Sequence, residues 1–405
     1  MGHPGAVHPE ASDRVARVDV DALKRSLTAW RRQLTEAASL LGAARRTKND
    51  EFYTQWADIE REMNAYLEYD RDVFRDKVLL LPCDDPEWSN FTKFFALHFL
   101  DFGLKKLIST SFAPDSNPAG QFYAPTLFET ADPQFDATKT RLNGKKFTLE
   151  RKDLNTDGVI NIDDLQWEYL EGTGDFRSEE VTALRDEADF VITNPPFSLF
   201  RQFMTWLQEG RNRFAVIGNQ NALTYQEVFP LIRENKVWLG KGFPRNMAHF
   251  NTPYVTHSKW VEQEGEGVVR VAGVQWFTNI DHGRRHEPLQ LMSMADNIKF
   301  SKHKDVRGVG YKPYDNFNAI DVPHTDAIPG DFDGMMGVPI TFLNKYNPEQ
   351  FEIIGSLNNG AHGNELGATK TETEMTDGKV IMWNGPVVER QPRYKRIIIK
   401  RKPTA

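Results

Sequence analysis

Short apolar runs, each followed by a stretch with helical spacing, recur through the middle of the chain and leave few architectures open. Residues 77–82 (KVLLLP), 105–112 (KKLISTSF), 188–193 (ADFVIT), 213–218 (RFAVIG) and 236–239 (KVWL) are such runs. Uninterrupted apolar segments of about four to eight residues are what strands covered on both faces look like. Between them, residues 89–103 (SNFTKFFALHFLDFG), 197–209 and 225–234 carry helical periodicity, the first with an N-cap serine and a terminating glycine. Alternation of this kind predicts an α/β fold, a Rossmann-like, doubly wound, mostly parallel sheet. Ligands of such sheets sit at the carboxyl ends of the strands.

The chain has 405 residues, too many for one ordinary core. Three parts are expected: an N-terminal helical arm at 1–46, the α/β domain at 47–280 with an insertion at about 113–174, and a smaller module at 281–405 closing against the sheet. The arm spaces Val20, Leu23, Leu27, Trp30, Leu34, Ala38 and Leu41 by threes and fours, the mark of a one-faced helix. No uncharged apolar run is long enough to span a membrane, and residues 1–13 lack the basic-then-apolar order of a secretory leader. A single cysteine, Cys83, rules out an intrachain disulfide and fits a reducing cytoplasm. It reads as a small buried hydrophobe. The net charge of −7 announces no nucleic-acid binder, so any such contact must come from local basic patches.

Asn194-Pro195-Pro196-Phe197 directly follows the run FVIT. The Asn194 carboxamide oxygen and the Pro195 carbonyl offer two acceptors, and two prolines fix φ and leave that carbonyl free. Two acceptors aimed at the two hydrogens of an sp2 amine draw electron density onto its nitrogen and hold the lone pair toward an incoming methyl group. Phe197 then offers a π-face to a base taken out of its stack. Read alone, the tetrapeptide is also compatible with a strand-ending turn.

With the blocks KNDEFYTQ, CDDPEWSNF, GLKKLIST, GDFRSEE, ADFVITNPPFSLF, IGNQNALTY, WFTN and DGMMGVPITFL, the chain resembles the EcoRI-type adenine-specific DNA methyltransferases from about residue 48 to residue 402. The resemblance implies a class I methyltransferase domain with a target-recognition region, S-adenosylmethionine as cofactor and methylation of adenine N6 in duplex DNA. Asn194, Pro195, Pro196 and Phe197 are then the catalytic residues, with Asn194 also beside the cofactor. It further implies that Tyr53 and Thr54 wrap the methionine part of the cofactor. Pro82, Asp84, Asp85 and the start of the next helix, with Asn90, form the main cofactor loop, and Asp175 and Phe176 meet the cofactor's adenine. The chain departs from the usual pattern in lacking first-strand loop glycines and an acid after KKLISTSF. The competing reading of Asp85 is a helix-capping acid, and that of Asp175 a loop aspartate.

Asp153, Asn155, Asp157, Val159, Asn161 and Asp164 stand where an EF-hand loop places its ligands, Val159 by its carbonyl, with Gly158 at the sharp turn. The expectation is a structural calcium ion, with residues 165–170 as exiting helix, or else a polar hairpin that matches by chance. DNA contacts are expected from Arg45, Arg46 and Lys48, from residues 281–303 and from the tail 393–402 (RYKRIIIKRK), each of which is also readable as solvated surface. The expected protein is a monomer, with a cognate restriction endonuclease as a functional partner. Alternatives are methylation of an RNA base or of a protein glutamine, or a catalytically silent DNA- or calcium-binding module.

Overall fold

A computed structural model describes residues 53–85, 89–114, 130, 132–151, 164–244, 247–251, 261–265, 268–359, 365–375 and 378–403, with the backbone alone for 261–265. The expected arm, with Val20 to Leu41 and Arg45, Arg46 and Lys48, lies outside these residues. So do Asp153, Asn155, Asp157, Val159 and Asn161 of the calcium-type loop.

In chain order the first elements are β1 (Tyr53–Thr54), α1 (Trp56–Tyr69), β2 (Val78–Leu81), α2 (Asn90–Leu97), β3 (Lys106–Thr110) and α3 (Ala137–Leu142). There follow β4 (Lys145–Glu150), β5 (Gln166–Tyr169), α4 (Glu179–Glu187), β6 (Phe190–Thr193), α5 (Phe200–Glu209) and β7 (Arg213–Asn219). Next come α6 (Phe229–Arg233), β8 (Trp238–Leu239), β9 (Met247–Asn251), β10 (Val261–Gly265), β11 (Val268–Ala272) and β12 (Val274–Thr278). An eight-stranded sheet runs β5-β4-β3-β2-β6-β7-β12-β8. Its four middle strands, β3, β2, β6 and β7, are parallel to one another. The strands outside them pair antiparallel on both flanks.

The parallel strands are apolar on both sides because both faces are covered. Successive side chains of a strand point to opposite faces. Leu79, Leu81, Leu107, Phe190, Ile192, Ala215 and Ile217 pack with Ile59, Met63 and Tyr66 of α1 and Phe91, Phe94 and Phe95 of α2. Val78, Leu80, Ile108, Val191, Phe214 and Val216 pack with Val181 of α4, Phe203 and Leu207 of α5 and Phe229 and Ile232 of α6. α2 stops at Leu97, earlier than the spacing suggested. The chain then turns back through Gly103, whose φ of +66° suits glycine, and enters β3.

Two elements differ from expectation. Residues 165–170, expected as an exiting helix, contain the strand β5, which pairs antiparallel with β4. QWEY alternates exposed and half-buried residues, the period of a strand. The insertion therefore adds a hairpin to the sheet edge. The segment between β8 and β12 builds a second sheet, β1-β9-β11-β10, in which Thr54 of β1 pairs with Phe250 of β9.

After α7 (Met294–Phe300) the chain forms β13 (Lys312–Pro313), β14 (Ile320–Asp321), β15 (Met336–Pro339) and β16 (Phe351–Leu357). It ends in β17 (Thr371–Glu374), β18 (Val380–Trp383), β19 (Val387–Val388), β20 (Gln391–Pro392) and β21 (Arg396–Arg401). A five-stranded sheet runs β13-β14-β15-β21-β16. Its Met336, Val338, Ile397 and Ile399 join the core beneath α5 and α6, while Ile398 faces a smaller core with Tyr314, Leu357 and Val388. Residues 50–405 form one compact unit. Among the described residues no helix is long and apolar enough to cross a membrane.

Leu80 is fully buried and sits in the central strand, whereas Leu97 is 53% exposed. Leu80→Ala is expected to lower stability by about 2–5 kcal/mol through the cavity it leaves. Leu97→Ala is expected to change it by no more than about 0.5 kcal/mol. Urea unfolding of the two variants checks the contrast.

Candidate active site

Two parallel strands end side by side, and a carboxylate joins their ends. Just past β2, Asp84 accepts a hydrogen bond from Ser89 Oγ at 2.6 Å on one oxygen and from Thr193 Oγ1, the last residue of β6, at 2.6 Å on the other. Its backbone N–H donates to the Thr110 carbonyl at the end of β3. Its own carbonyl accepts from Thr92 and Ser109. Ser89 also caps α2, accepting from Phe91 N at 3.1 Å. One aspartate thus fixes the carboxyl ends of β2, β3 and β6 and the start of α2.

Asp84 is only 3% exposed. Burial pushes its carboxyl up from 3.8 to about 7, Ser89 and Thr193 oppose this, and the neighbouring Asp85 adds to it. Among the described residues no cation acts on Asp84, and with Asp85 beside it the corner suits a positively charged ligand.

Tyr53 and Thr54 come to the same corner. Asn90 Nδ2, on the first residue of α2, donates to the Thr54 carbonyl at 2.8 Å. Thr54 Oγ1 and Thr110 Oγ1 are buried without a hydrogen-bond partner among the described residues. Buried hydroxyls in that state are costly unless something else pairs with them. Thr110 ends β3, where the sequence lacks the expected acid.

Asn194 follows Thr193 directly and is half-buried, with its Oδ1 beneath the surface. Pro195 is buried. Pro196 starts a single 3-10 turn, Phe197–Leu199, and its carbonyl accepts from Leu199 N at 2.9 Å. The Pro195 carbonyl is thus held by a turn with two fixed φ angles. Phe197 is half-buried and meets Phe250 edge to face, with centroids 6.3 Å apart. Since Phe250 pairs with Thr54, the second sheet links the Asn-Pro-Pro-Phe corner to the Tyr53-Thr54 segment.

Asp175 and Phe176 lie in the loop after β5, whose Thr173 carbonyl accepts from Ala113 N just beyond β3. Asp175 is clasped by Arg177, with Nε at 2.9 Å and Nη2 at 2.5 Å, and that guanidinium holds its carboxyl below the usual range. Phe176 is 4% exposed. Its ring lies against Phe203 and Trp206, at 4.9 and 5.6 Å between centroids, so the faces it uses here are core contacts. Pro82 is buried, Asp85 half-buried with its carbonyl accepting from Ser89 N, and Cys83 packs against the apolar core. Asp164, the described end of the calcium-type loop, is 3% exposed.

The basic stretches expected to touch DNA are partly committed elsewhere. The Arg285 guanidinium stacks on Trp238 at 3.7 Å and bonds Asn235 and Asp281. His286 lies between Asp281 and Glu349, which raise its pKa. In the tail, Arg396 pairs with Asp321 at 2.9 Å and the three isoleucines are core. Sequence reading missed Thr193, Ser89 in its second role, and Thr110. The one signal was a hydroxyl ending an otherwise apolar strand.

A mixed sheet with four parallel central strands, helices on both faces and antiparallel strands on its flanks is the fold of a class I methyltransferase. Residues 40–402 match the family described as adenine-specific methyltransferase EcoRI. The chain is 40% identical over 320 residues to the type II methyltransferase M.EcoRI of Escherichia coli, covering 78% of this chain and 88% of that protein. It is 32% identical over 366 residues to the type II methyltransferase M.MpnI of Mycoplasma pneumoniae, covering 89% of this chain and 97% of that one. No solved structure matches it. The chain belongs to the EcoRI family of adenine-specific methyltransferases. It is a DNA adenine methyltransferase, and its family implies S-adenosylmethionine as methyl donor.

Asp84 gives a pH test of the corner. Below about 4 the carboxyl is protonated folded or unfolded. As the pH rises toward about 7 the unfolded chain ionises first while the folded protein keeps its proton, so Asp84 lowers stability through this window and no further above it. Melting temperatures across that range should fall for the wild type relative to Asp84→Asn. Parallel curves for the two proteins would contradict the assignment.

Proposed function

We propose that the protein methylates the N6 amine of one adenine within a specific sequence of duplex DNA, with that adenine turned out of the helix into the corner of Asn194, Pro195, Pro196 and Phe197. The observation that carries this reading is the Asp84–Thr193 hydrogen bond, which ties an acidic strand end to the strand end bearing Asn194. Chemistry between two bound groups needs its two subsites side by side.

The residues fit S-adenosylmethionine. Asp84 and Asp85 supply negative charge, and among the described residues no cation acts on Asp84 and the buried hydroxyls of Thr54 and Thr110 have no hydrogen-bond partner. Tyr53, Thr54, Pro82, Asp84, Asp85 and Asn90 would hold the methionine and ribose parts. Asp175 and Phe176 would border the adenine, with Asp175 sharing its oxygens between Arg177 and the ring amine. When bound, S-adenosylmethionine supplies an electrophilic methyl group on a positively charged sulfur.

Asn194 Oδ1 and the Pro195 carbonyl accept from the two hydrogens of the target amine and orient its lone pair. As positive charge develops on that nitrogen, the two acceptors stabilise it where it forms. Pro196 holds the turn. Phe197, set roughly perpendicular to Phe250, gives the extruded base a stacking surface that offsets part of the cost of unstacking. Attack by the amine needs no cysteine nucleophile.

Calcium at Asp153, Asn155, Asp157, Val159 and Asp164 remains a separate proposal about stability. Calcium is expected to raise the melting temperature, and an unchanged value removes the idea. We also propose that the protein works as the modification partner of a restriction endonuclease. Methylated-adenine sequencing of host DNA with and without it would reveal its site.

Asn194→Ala is expected to lower the rate of labelled methyl transfer to DNA by about 10²–10³ while cofactor binding persists. Retained activity would contradict the role. A cationic ligand beside Asp84 favours its ionised form, so cofactor binding below about pH 7 should release a proton from it. Calorimetry in two buffers of different ionisation enthalpy measures that release, and Asp84→Asn should abolish it.

A further inference from the structure

Two His-X-Asp triplets, His303-Lys304-Asp305 and His324-Thr325-Asp326, come from separate parts of the C-terminal module and meet. The first follows α7 and the second lies between β14 and β15. Their histidine rings stack with centroids 3.6 Å apart and an interplanar angle of 7°. The triplets pair crosswise. His303 Nε2 lies 2.7 Å from Asp326 Oδ1, and His324 Nε2 lies 2.9 Å from Asp305 Oδ2. One ligand atom from each of His303, Asp305 and His324 lies within 4.8 Å of the others. None of these residues belongs to the methyl-transfer corner.

We propose that His303, Asp305 and His324 bind a divalent transition-metal ion of the zinc class. Two imidazoles and one carboxylate form a donor set suited to zinc, which bonds such atoms at about 2.0–2.2 Å and prefers four ligands. The three atoms are already close; because imidazole binds a metal in its own plane, the two rings turn out of their parallel stack to face one ion, and water completes the set. Asp326 is not a ligand. It accepts from His303 and is neutralised by Lys302 at 2.6 Å, which makes it the carboxylate that orients the ligand ring. Asp305, by contrast, is 56% exposed at its side chain and has His324 as its ion-pair partner.

The consequence is a cross-link. Residues 301–307 have little apolar cover of their own, with only Ser301 and Val306 buried. A metal ties them to the strand-flanking segment around His324, so binding stabilises the folded module. No part of the methyl-transfer reaction depends on it.

The test uses the full chain, without a histidine tag and stripped by chelator. Zinc binding by equilibrium dialysis, tetrahedral cobalt(II) absorption and the melting temperature with and without zinc are compared. The wild type is expected to take up stoichiometric zinc and to melt higher with it. His324→Phe keeps a stacking ring but removes its nitrogens, and Asp305→Asn removes the charge. The first should lose stoichiometric zinc and the thermal shift, and the second should weaken both, with DNA methylation unchanged in each. His98→Ala, at a ring stacked on Phe102, should behave as wild type. A wild type that takes up no zinc, or a His324→Phe protein that binds it equally well, overturns the proposal.

Discussion

A buried carboxylate shared by two hydroxyls governs the geometry of this molecule. Asp84 accepts from Ser89 and Thr193, so the ends of β2 and β6 cannot move apart without leaving an acid unsatisfied in the interior. The arrangement is costly on its own, as the raised pKa shows. A group held in a less than ideal state by rigid surroundings is a common property of functional sites. What the strain maintains is the adjacency of an acidic corner and the Asn194 turn.

The rest of the fold keeps that adjacency rigid. The four parallel strands are covered on one face by α1 and α2 and on the other by α4, α5, α6 and the C-terminal sheet. A strand packed on both sides is difficult to displace, because its side chains interdigitate with two layers. The second sheet reaches the corner from the opposite direction, through Phe250, which touches Phe197 and pairs with Thr54. Segments far apart in sequence thereby meet at one place.

The parallel strands and the Asn194 motif were legible because their signals are local. A run such as KVLLLP needs both faces buried, and two prolines after a strand constrain the backbone wherever they occur. The Asp84–Thr193 bond was not legible, since it spans 109 positions and depends on strand order. The β4–β5 hairpin was half read. The ligand spacing before QWEY suggested an exiting helix, although Trp167 and Tyr169 alternate with exposed residues as a strand does. Arg285 looked like a surface charge until Trp238 supplied a ring to lie on. The His-X-Asp triplets are unremarkable separately and become a cluster only through tertiary packing.

The most direct measurement is a crystal structure of the protein with duplex DNA and a non-reactive, cationic analogue of S-adenosylmethionine. An extruded adenine is expected to stack on Phe197. Its amine would lie between Asn194 Oδ1 and the Pro195 carbonyl, with the analogue's charged end against the Asp84 corner. An analogue bound away from the ends of β2 and β6, or a target amine held by other residues, would contradict it.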